Sequence, residues 1–210
     1  MRQVWRGAVL AAALGAACAT PAARPLDFSD AKRDLTAKDY EAVLSTWTRH
    51  TKEWEYAGTI IEAWAVFKSA EFRQAYIERY AQVYSLGDAE RTTLYNAQMD
   101  AAHRTFEFHV SVQTSNYNWN DLDRANSAWR VSLVDGFGSE ITPKRIEPLR
   151  LPELYESQFF PDRTEFSRSY VIRFDRAEAE AAGFAGPRSG RLTLRIASPA
   201  AKAEMVWQAK

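Results

Sequence analysis

The sequence has very little cysteine and no long apolar run beyond its first eighteen residues. Cys18 is the single cysteine among 210 residues, so a scaffold held by internal disulfides is excluded. After Cys18 no stretch approaches the roughly 20 apolar residues of a membrane-spanning helix. The body must therefore fold around an ordinary apolar core, which seven tryptophans, nine tyrosines and eleven phenylalanines can supply.

An excess of either charge is also absent. The chain has 27 lysines and arginines against 27 aspartates and glutamates. Removal of residues 1–17 would take away Arg2 and Arg6 and no acid, which leaves 25 basic and 27 acidic residues. A body with this balance lacks the positive field that phosphate backbones attract, so we expect no nucleic-acid partner.

Recognised catalytic motifs are missing as well. The sequence has no Gly-x-Ser-x-Gly elbow, no phosphate-binding glycine loop and no His-Glu-x-x-His pair. His103, His109 and Glu107 could approach one another, but their spacing does not set a metal geometry. We expect no metal, no cofactor and no assigned catalytic residue. An envelope hydrolase that uses paired carboxylates stays open as an alternative, because such pairs meet only in three dimensions.

The first eighteen residues have the form of an export signal. Arg2 and Arg6 precede an apolar, small-residue run that ends at Cys18, which predicts a signal peptide over 1–17. A lone thiol in an exported protein is a liability unless it is modified, so we predict that Cys18 carries lipid. The alternative is cleavage at Ala17–Ala19, an Ala-x-Ala site, which would give a secreted or soluble periplasmic protein.

The segments after the signal predict a tether and then a helix, a strand and a helical hairpin. Residues 18–34 are small, polar and contain proline, as in a tether. A capping box at Thr36 begins a short helix that reaches Trp47. Residues 59–68 read as a buried strand. Ser69 then begins a helical hairpin over about 69–105, in which Gly87 ends the first helix.

From Phe106 onward the apolar period changes to two, which is typical of antiparallel strands with one exposed face. The predicted strands are 106–113, 129–133, 139–146, 170–174, 192–196 and 205–207. We therefore predict an α+β, mainly β fold: one domain over 35–210, an antiparallel immunoglobulin-like β-sandwich with the helical hairpin inserted.

The loop over 116–123 is the strongest candidate for recognition. Tyr117 and Trp119 offer aromatic faces, and Asn120 and Asp121 offer hydrogen-bonding groups suited to sugar hydroxyls or to a peptide. The alternative is structural: Trp119 plugs one end of the sandwich while the asparagines make Asx turns.

Two other features have a functional and a structural interpretation. Tyr76, Tyr80 and Tyr84 recur every four residues and could dock a partner or form the buried stripe of a helix, with Tyr84 exposed. Glu62 is an acid within an apolar strand. We expect it near a sheet edge or paired with an arginine.

Several motifs together resemble a group of uncharacterised exported bacterial lipoproteins. They are the lipobox-like Leu14–Cys18, then Trp47–Arg49, Lys68–Tyr76 and the strand Phe106–Thr114. The resemblance implies a location and an architecture and assigns no reaction. Stable anchoring would need the several acyl chains, such as palmitate, that lipoproteins of this kind carry.

The sequence thus predicts a non-enzymatic interaction or structural module that is lipid-anchored in the bacterial envelope, with the outer membrane favoured over the inner. Its expected partners are the membrane, through the anchor, and an envelope protein or glycan. A glycan-binding module using loop 116–123, the carboxylate hydrolase and a lipid carrier with an apolar cavity between the sheets remain alternatives.

Overall fold

The computed structural model describes residues 26–55, 58–149, 153–161 and 164–209. The predicted signal peptide and Cys18 lie outside these residues, and only the last part of the predicted tether lies within them. Helices and strands account for about 35% and 36% of the structure, so the fold is mixed α+β, with two antiparallel sheets.

The elements follow one another along a single chain. The helices are α1 (Tyr40–Trp47), α2 (Ala70–Tyr84), α3 (Asp88–Arg104), α4 (Glu153–Phe159) and α5 (Arg176–Ala181). The strands are β1 (Thr48–Glu55), β2 (Gly58–Phe67), β3 (Thr105–Thr114), β4 (Arg130–Asp135), β5 (Glu140–Ile141), β6 (Arg145–Pro148), β7 (Arg168–Asp175), β8 (Arg191–Ala197) and β9 (Lys202–Gln208). Short 3₁₀ turns cover 37–39, 117–119 and 186–189.

The strands form a five-stranded sheet in the order β1-β2-β3-β7-β6 and a four-stranded sheet in the order β5-β4-β8-β9. Their inner faces share one apolar core. In that core the Trp207 ring lies 6.2 Å from the Phe67 ring and 5.3 Å from the Phe108 ring, measured between centroids. Aromatic rings thus occupy this part of the space between the sheets, where a lipid carrier would need a cavity.

Helix α2 and the chain at Phe160 cover the outer face of the five-stranded sheet at β3, and this overturns the prediction of a half-exposed strand at Phe106. Strand β3 is buried on both faces over most of its length. The His109 ring, expected on a solvent face, stacks on Phe160 at a centroid distance of 3.8 Å. The alternation gave the strand correctly, but the segments that cover its second face come from distant parts of the chain.

The structure also differs from the sequence prediction in one helix boundary and in several secondary-structure elements. The helix that begins at Ser69 ends before Ser85, which adopts the left-handed conformation at φ 53°, so Gly87 is the residue before α3 rather than the end of α2. Strand β1 and the short helices α4 and α5 were not predicted. The predicted strand 139–146 is two short strands in different sheets, because the chain crosses between the sheets there.

The described part of the predicted tether lies on the body. Leu26 is buried and forms a parallel bridge with Ala209 after β9. Phe28 packs edge-on against Trp47 at 5.5 Å between centroids. The buried amide of Gln74 donates to the carbonyl of Ala31 at 3.0 Å. Within the described ranges, no helix has both the length and the apolar composition needed to cross a bilayer.

Candidate functional site

Loop 116–123 follows β3 at one end of the two sheets. The side-chain Oδ1 of Asn116 accepts a hydrogen bond from the backbone N–H of Asn118 at 3.0 Å, which forms an Asx turn. The chain then makes one 3₁₀ turn over Tyr117–Trp119. Local hydrogen bonds therefore order the backbone of the loop.

Trp119 is exposed, and a buried tryptophan, Trp129, hydrogen-bonds to its backbone. About 53% of Trp119 is accessible to solvent, whereas Trp129 is only 5% exposed. The indole Nε1–H of Trp129 donates to the carbonyl of Trp119 at 2.8 Å. Trp119 thus does not plug the core, and its ring is presented outward on a fixed backbone.

Asn120 is buried rather than exposed, so it does not face a ligand. Its Nδ2 donates to the carbonyl of Val112 at 2.6 Å, and the Tyr170 hydroxyl lies 2.9 Å from both its Oδ1 and its carbonyl oxygen. Arg168 also donates to that carbonyl. Burial raises the pKa of Tyr170 to about 12, so its hydroxyl keeps its proton and remains a donor. Asn120 positions the loop.

Asp121 ties the same loop to the following turn. Its Oδ1 accepts a hydrogen bond from the Ser127 hydroxyl at 2.8 Å, and its carbonyl accepts one from the Arg124 N–H at 2.9 Å. The carboxylate is half-buried and still lines a surface groove. Asp121 can therefore contact a ligand while it holds the loop in place.

The groove beside Trp119 has a volume of about 360 Å³, and most of its lining residues are aromatic or aliphatic, with three polar residues among them. Its described lining residues are Ile60, Trp119, Asp121, Asn126, Ala128, Trp129, Ser198, Pro199 and Ala200. None of these described lining residues is a lysine or an arginine. An apolar groove whose lining also includes a carboxylate, an amide and a hydroxyl suits a neutral, hydroxyl-rich molecule.

Tyr117 lies beside the groove and is 61% exposed. The Arg168 guanidinium sits 4.8 Å from the centre of its ring. The pKa of Tyr117 is lowered because Arg168 hydrogen-bonds to it and favours the charged phenolate. Arg168 thus fixes the orientation of Tyr117 and also holds the backbone at Asn120.

Two further exposed aromatic side chains lie at the same end of the molecule. Trp54 near the end of β1 is 63% exposed, and Phe166 just before β7 is 62% exposed. We call Trp54, Tyr117, Trp119 and Phe166 the aromatic rim. Trp54 and Phe166 are not among the residues predicted from the sequence, although an aromatic residue between charged or polar neighbours was the available signal in both cases.

Glu62 pairs with a lysine and a histidine of the edge strand β1, not with an arginine. Its carboxylate oxygens lie 2.9 Å from Lys52 Nζ and 3.0 Å from His50 Nε2. Burial alone would raise the pKa of Glu62, but these two partners lower it. The carboxylate thus serves to fix β1 on β2.

The three residues considered as metal ligands, His103, His109 and Glu107, lie in different surroundings in the structure. His103 is exposed and lies 3.7 Å from Asp30, whereas His109 is buried against Phe160. Glu107 is engaged by cations. Among the described residues, no group of three or more His, Cys, Asp and Glu side chains is placed to hold a metal ion.

Glu107 is the centre of a buried ionic cluster beneath the helices. Lys68 Nζ lies 2.5 Å, Arg173 Nε 2.8 Å and Arg73 Nη2 3.8 Å from its carboxylate. Burial alone would raise the pKa of Glu107, but Lys68 and Arg73 lower it to about 2. This cluster joins β2, β3, β7 and the start of α2. We therefore assign it a structural role in stabilising the fold.

The tyrosine row of α2 is the buried stripe that one interpretation predicted. Tyr76 is 8% exposed, Tyr80 is half-buried, and both pack on Phe159 of α4. Tyr84 at the helix end is 49% exposed, as expected. The row therefore joins two helices.

Comparison with known proteins identifies no family. No protein-family model matches the chain, and no curated protein matches it. One solved structure, described as a novel protein of unknown function from Burkholderia pseudomallei, is similar over 84% of this chain and 93% of its own, with 12% sequence identity and a TM-score of 0.40. A TM-score this low carries no conclusion about fold or function.

Proposed function

We propose that this protein is a lipid-anchored, non-enzymatic module of the bacterial envelope that binds a glycan in the groove beside Trp119. The observation that carries the proposal is an exposed tryptophan, hydrogen-bonded at its backbone carbonyl by Trp129, that lines a groove together with polar residues. A preordered aromatic surface binds with little loss of conformational entropy, because its backbone is already fixed.

The lining of the groove supports a neutral sugar over an anionic ligand. Asp121, Asn126 and Ser198 provide one carboxylate, one amide and one hydroxyl at its edge. Sugar hydroxyls can both donate to a carboxylate and accept from an amide. A phosphate or carboxylate ligand would meet Asp121 with no lysine or arginine among the described lining residues to balance the charge.

The position of the chain entry supports a site that faces away from an anchoring membrane. Leu26 pairs with Ala209, which follows β9, whereas the groove is bordered by Ser198–Ala200, which precedes β9. The seven residues of β9 separate these two ends by about 23 Å at ~3.3 Å per residue. The chain that leads from a lipid-bearing Cys18 would thus join the folded body, at Leu26, at the end opposite the groove.

The same lining favours binding over glycoside hydrolysis. Hydrolysis by the usual mechanism needs two carboxyl groups about 5–9.5 Å apart across the bond that breaks. Asp121 is the single carboxylate among the described residues lining the groove, and Ser127 already hydrogen-bonds to it. We therefore consider a glycan-binding function better supported than a hydrolase function.

A binding assay with a matched control tests the proposal. Trp119→Ala should lower binding to neutral oligosaccharides on a glycan array by at least about tenfold, as expected when a central aromatic contact is truncated. Phe137→Ala is the control, since Phe137 is 77% exposed and lies in the turn after β4 at the opposite end. Absence of glycan binding by the unmodified protein, or equal binding by Trp119→Ala, would overturn the proposal.

The anchor needs a separate test, because Cys18 lies outside the described residues. Cys18→Ser should abolish incorporation of labelled fatty acid and move the protein from the membrane fraction to the periplasmic fraction. Retention of the Cys18→Ser protein in the membrane fraction would contradict a lipid anchor at this position. That result would not bear on the proposal that the groove beside Trp119 binds a glycan.

We also propose the finer description of the body as an immunoglobulin-like sandwich. Two antiparallel sheets with one shared core support it. A crystal structure that fails to show the two sheets packed face to face in aligned orientation would contradict it.

A further inference from the structure

The four aromatic side chains of the rim lie along neighbouring strand ends. In β1, Trp54 pairs with Thr59 near the start of β2. The chain after β3 is held to β2 by the hydrogen bond from the Ser115 N–H to the Ile60 carbonyl at 3.1 Å, and Tyr117 and Trp119 follow directly. Phe166 precedes β7, whose first residue pairs with the end of β3. The rim thus crosses one end of the five-stranded sheet.

The length of the rim exceeds one small ligand. Strands β1, β2, β3 and β7 are consecutive neighbours in the sheet. Three gaps of about 4.8 Å place the ends of β1 and β7 about 14 Å apart. The groove beside Trp119 adjoins this end of the sheet, since Ile60 of β2 forms part of its lining, and Trp129 and Ser198–Ala200 beside the four-stranded sheet line its other side.

Two members of the rim are exposed and yet fixed by a cation on one side of the ring. Lys52 Nζ lies 4.4 Å from the centre of the Trp54 ring and 2.9 Å from Glu62, so its charge is compensated. Arg168 holds Tyr117 in the same manner. A cation near each ring restricts its orientation, while more than half of each side chain remains open to solvent.

We infer that the ligand is an extended neutral oligosaccharide of several rings, with its central part over Trp119 and its two ends over Trp54 and Phe166. This inference rests on the proposed function and adds the length and direction of the ligand. Each aromatic side chain contacts a separate sugar ring, so contacts made by one chain reinforce each other through effective concentration. A short sugar fills the groove beside Trp119 and reaches neither end of the rim.

A length series tests the inference. Affinities of the full-length protein for β-1,4-linked N-acetylglucosamine and glucose oligomers are measured by isothermal titration calorimetry with the disaccharide, tetrasaccharide and hexasaccharide. Affinity should rise with length by at least about tenfold from disaccharide to hexasaccharide. Trp54→Ala and Phe166→Ala should each weaken hexasaccharide binding by about three- to tenfold and change disaccharide binding by less than about twofold. Phe137→Ala is again the control.

The outcomes separate this inference from the proposed function. Equal affinity for all lengths, or no effect of Trp54→Ala and Phe166→Ala on the hexasaccharide, would overturn the extended site and leave the Trp119 groove standing. Absence of binding to either series by the unmodified protein would overturn both. Stronger binding to acidic oligosaccharides of equal length, or binding of a purified envelope protein that a hexasaccharide cannot displace, would also contradict the inference.

Discussion

Two buried polar clusters differ in charge and in what they support. The Glu107 cluster consists of ionised groups, with Lys68, Arg73 and Arg173 around one carboxylate. The Asn120 cluster is mainly built from uncharged groups and hydrogen-bonds the loop that carries Trp119. The first is enclosed between a sheet and its helices, whereas the second lies one residue from an exposed aromatic side chain.

The most perturbed carboxylate in a protein therefore need not mark its binding site. Perturbed pKa values concentrate at functional sites, but buried ion pairs that hold a fold perturb them too. Glu107 has the strongest such shift among the carboxylates of the described residues, and its partners are structural. The candidate site depends instead on a neutral amide that fixes the position of a loop.

The largest expected effect comes from removing the central charge of the ionic cluster. Glu107→Gln should lower the free energy of unfolding by about 3–5 kcal/mol, because it leaves the buried Arg73 and the largely buried Lys68 without their carboxylate, whereas Arg173 keeps Glu147. Urea denaturation measures the loss. Glu204→Gln is the matched control, since Glu204 pairs with Arg195 near the surface and should cost at most about 1 kcal/mol. Equal, small losses in both variants would show that the cluster does not stabilise the fold.

The same cluster should make stability depend on pH in the acid range. The pKa of Glu107 is lowered from 4.5 to about 2 in the folded protein, so its stabilisation is complete above pH ~4.5 and is lost as the pH falls towards ~2. This contribution should amount to about 3 kcal/mol. Urea denaturation from pH 5 to pH 2 should show this extra loss in the unmodified protein and not in Glu107→Gln. Parallel pH profiles would contradict the assignment.

The sequence predicts the elements that carry these clusters and does not predict the burial of Glu107 or Asn120. The alternation from Phe106 to Val112 correctly gives β3, and the Ser69 cap correctly begins α2. The same alternation assigns Glu107 and His109 to solvent, because local period carries no information about a second covering layer. That layer comes from α2 and from the chain around Phe160, which are far from β3 in sequence.

The candidate loop shows the same limit. Its aromatic and amide composition marks residues 116–123 as a recognition candidate, and Tyr117 and Trp119 are indeed exposed. The composition does not predict the hydrogen bond from Asn120 to Val112 or the one from Trp129 to Trp119. Both contacts depend on where two remote strands end. Trp54 and Phe166 join the rim for the same reason.

An intermediate effect is expected at Asn120. Asn120→Ala should lower the free energy of unfolding by about 2 kcal/mol, since it removes the hydrogen bond to Val112 and leaves the Tyr170 hydroxyl with one acceptor fewer. It should also weaken glycan binding by at least about tenfold, because the backbone beneath Trp119 loses its support. Asn118→Ala in the same loop is exposed and serves as the control for both measurements. Unchanged binding by Asn120→Ala would refute its positioning role.

The smallest change in the free energy of unfolding is expected for Trp119→Ala, and it distinguishes the binding site from the structural Glu107 cluster most clearly. Trp119→Ala should change the free energy of unfolding by less than about 1 kcal/mol, because the ring is largely exposed and the hydrogen bond from Trp129 goes to the backbone carbonyl, which the substitution keeps. Phe137→Ala should behave alike in urea denaturation and differ only in glycan binding. A loss of several kcal/mol in Trp119→Ala would mean that the ring supports the core after all. The exposed rim would then belong with the Glu107 cluster, as part of what holds the fold.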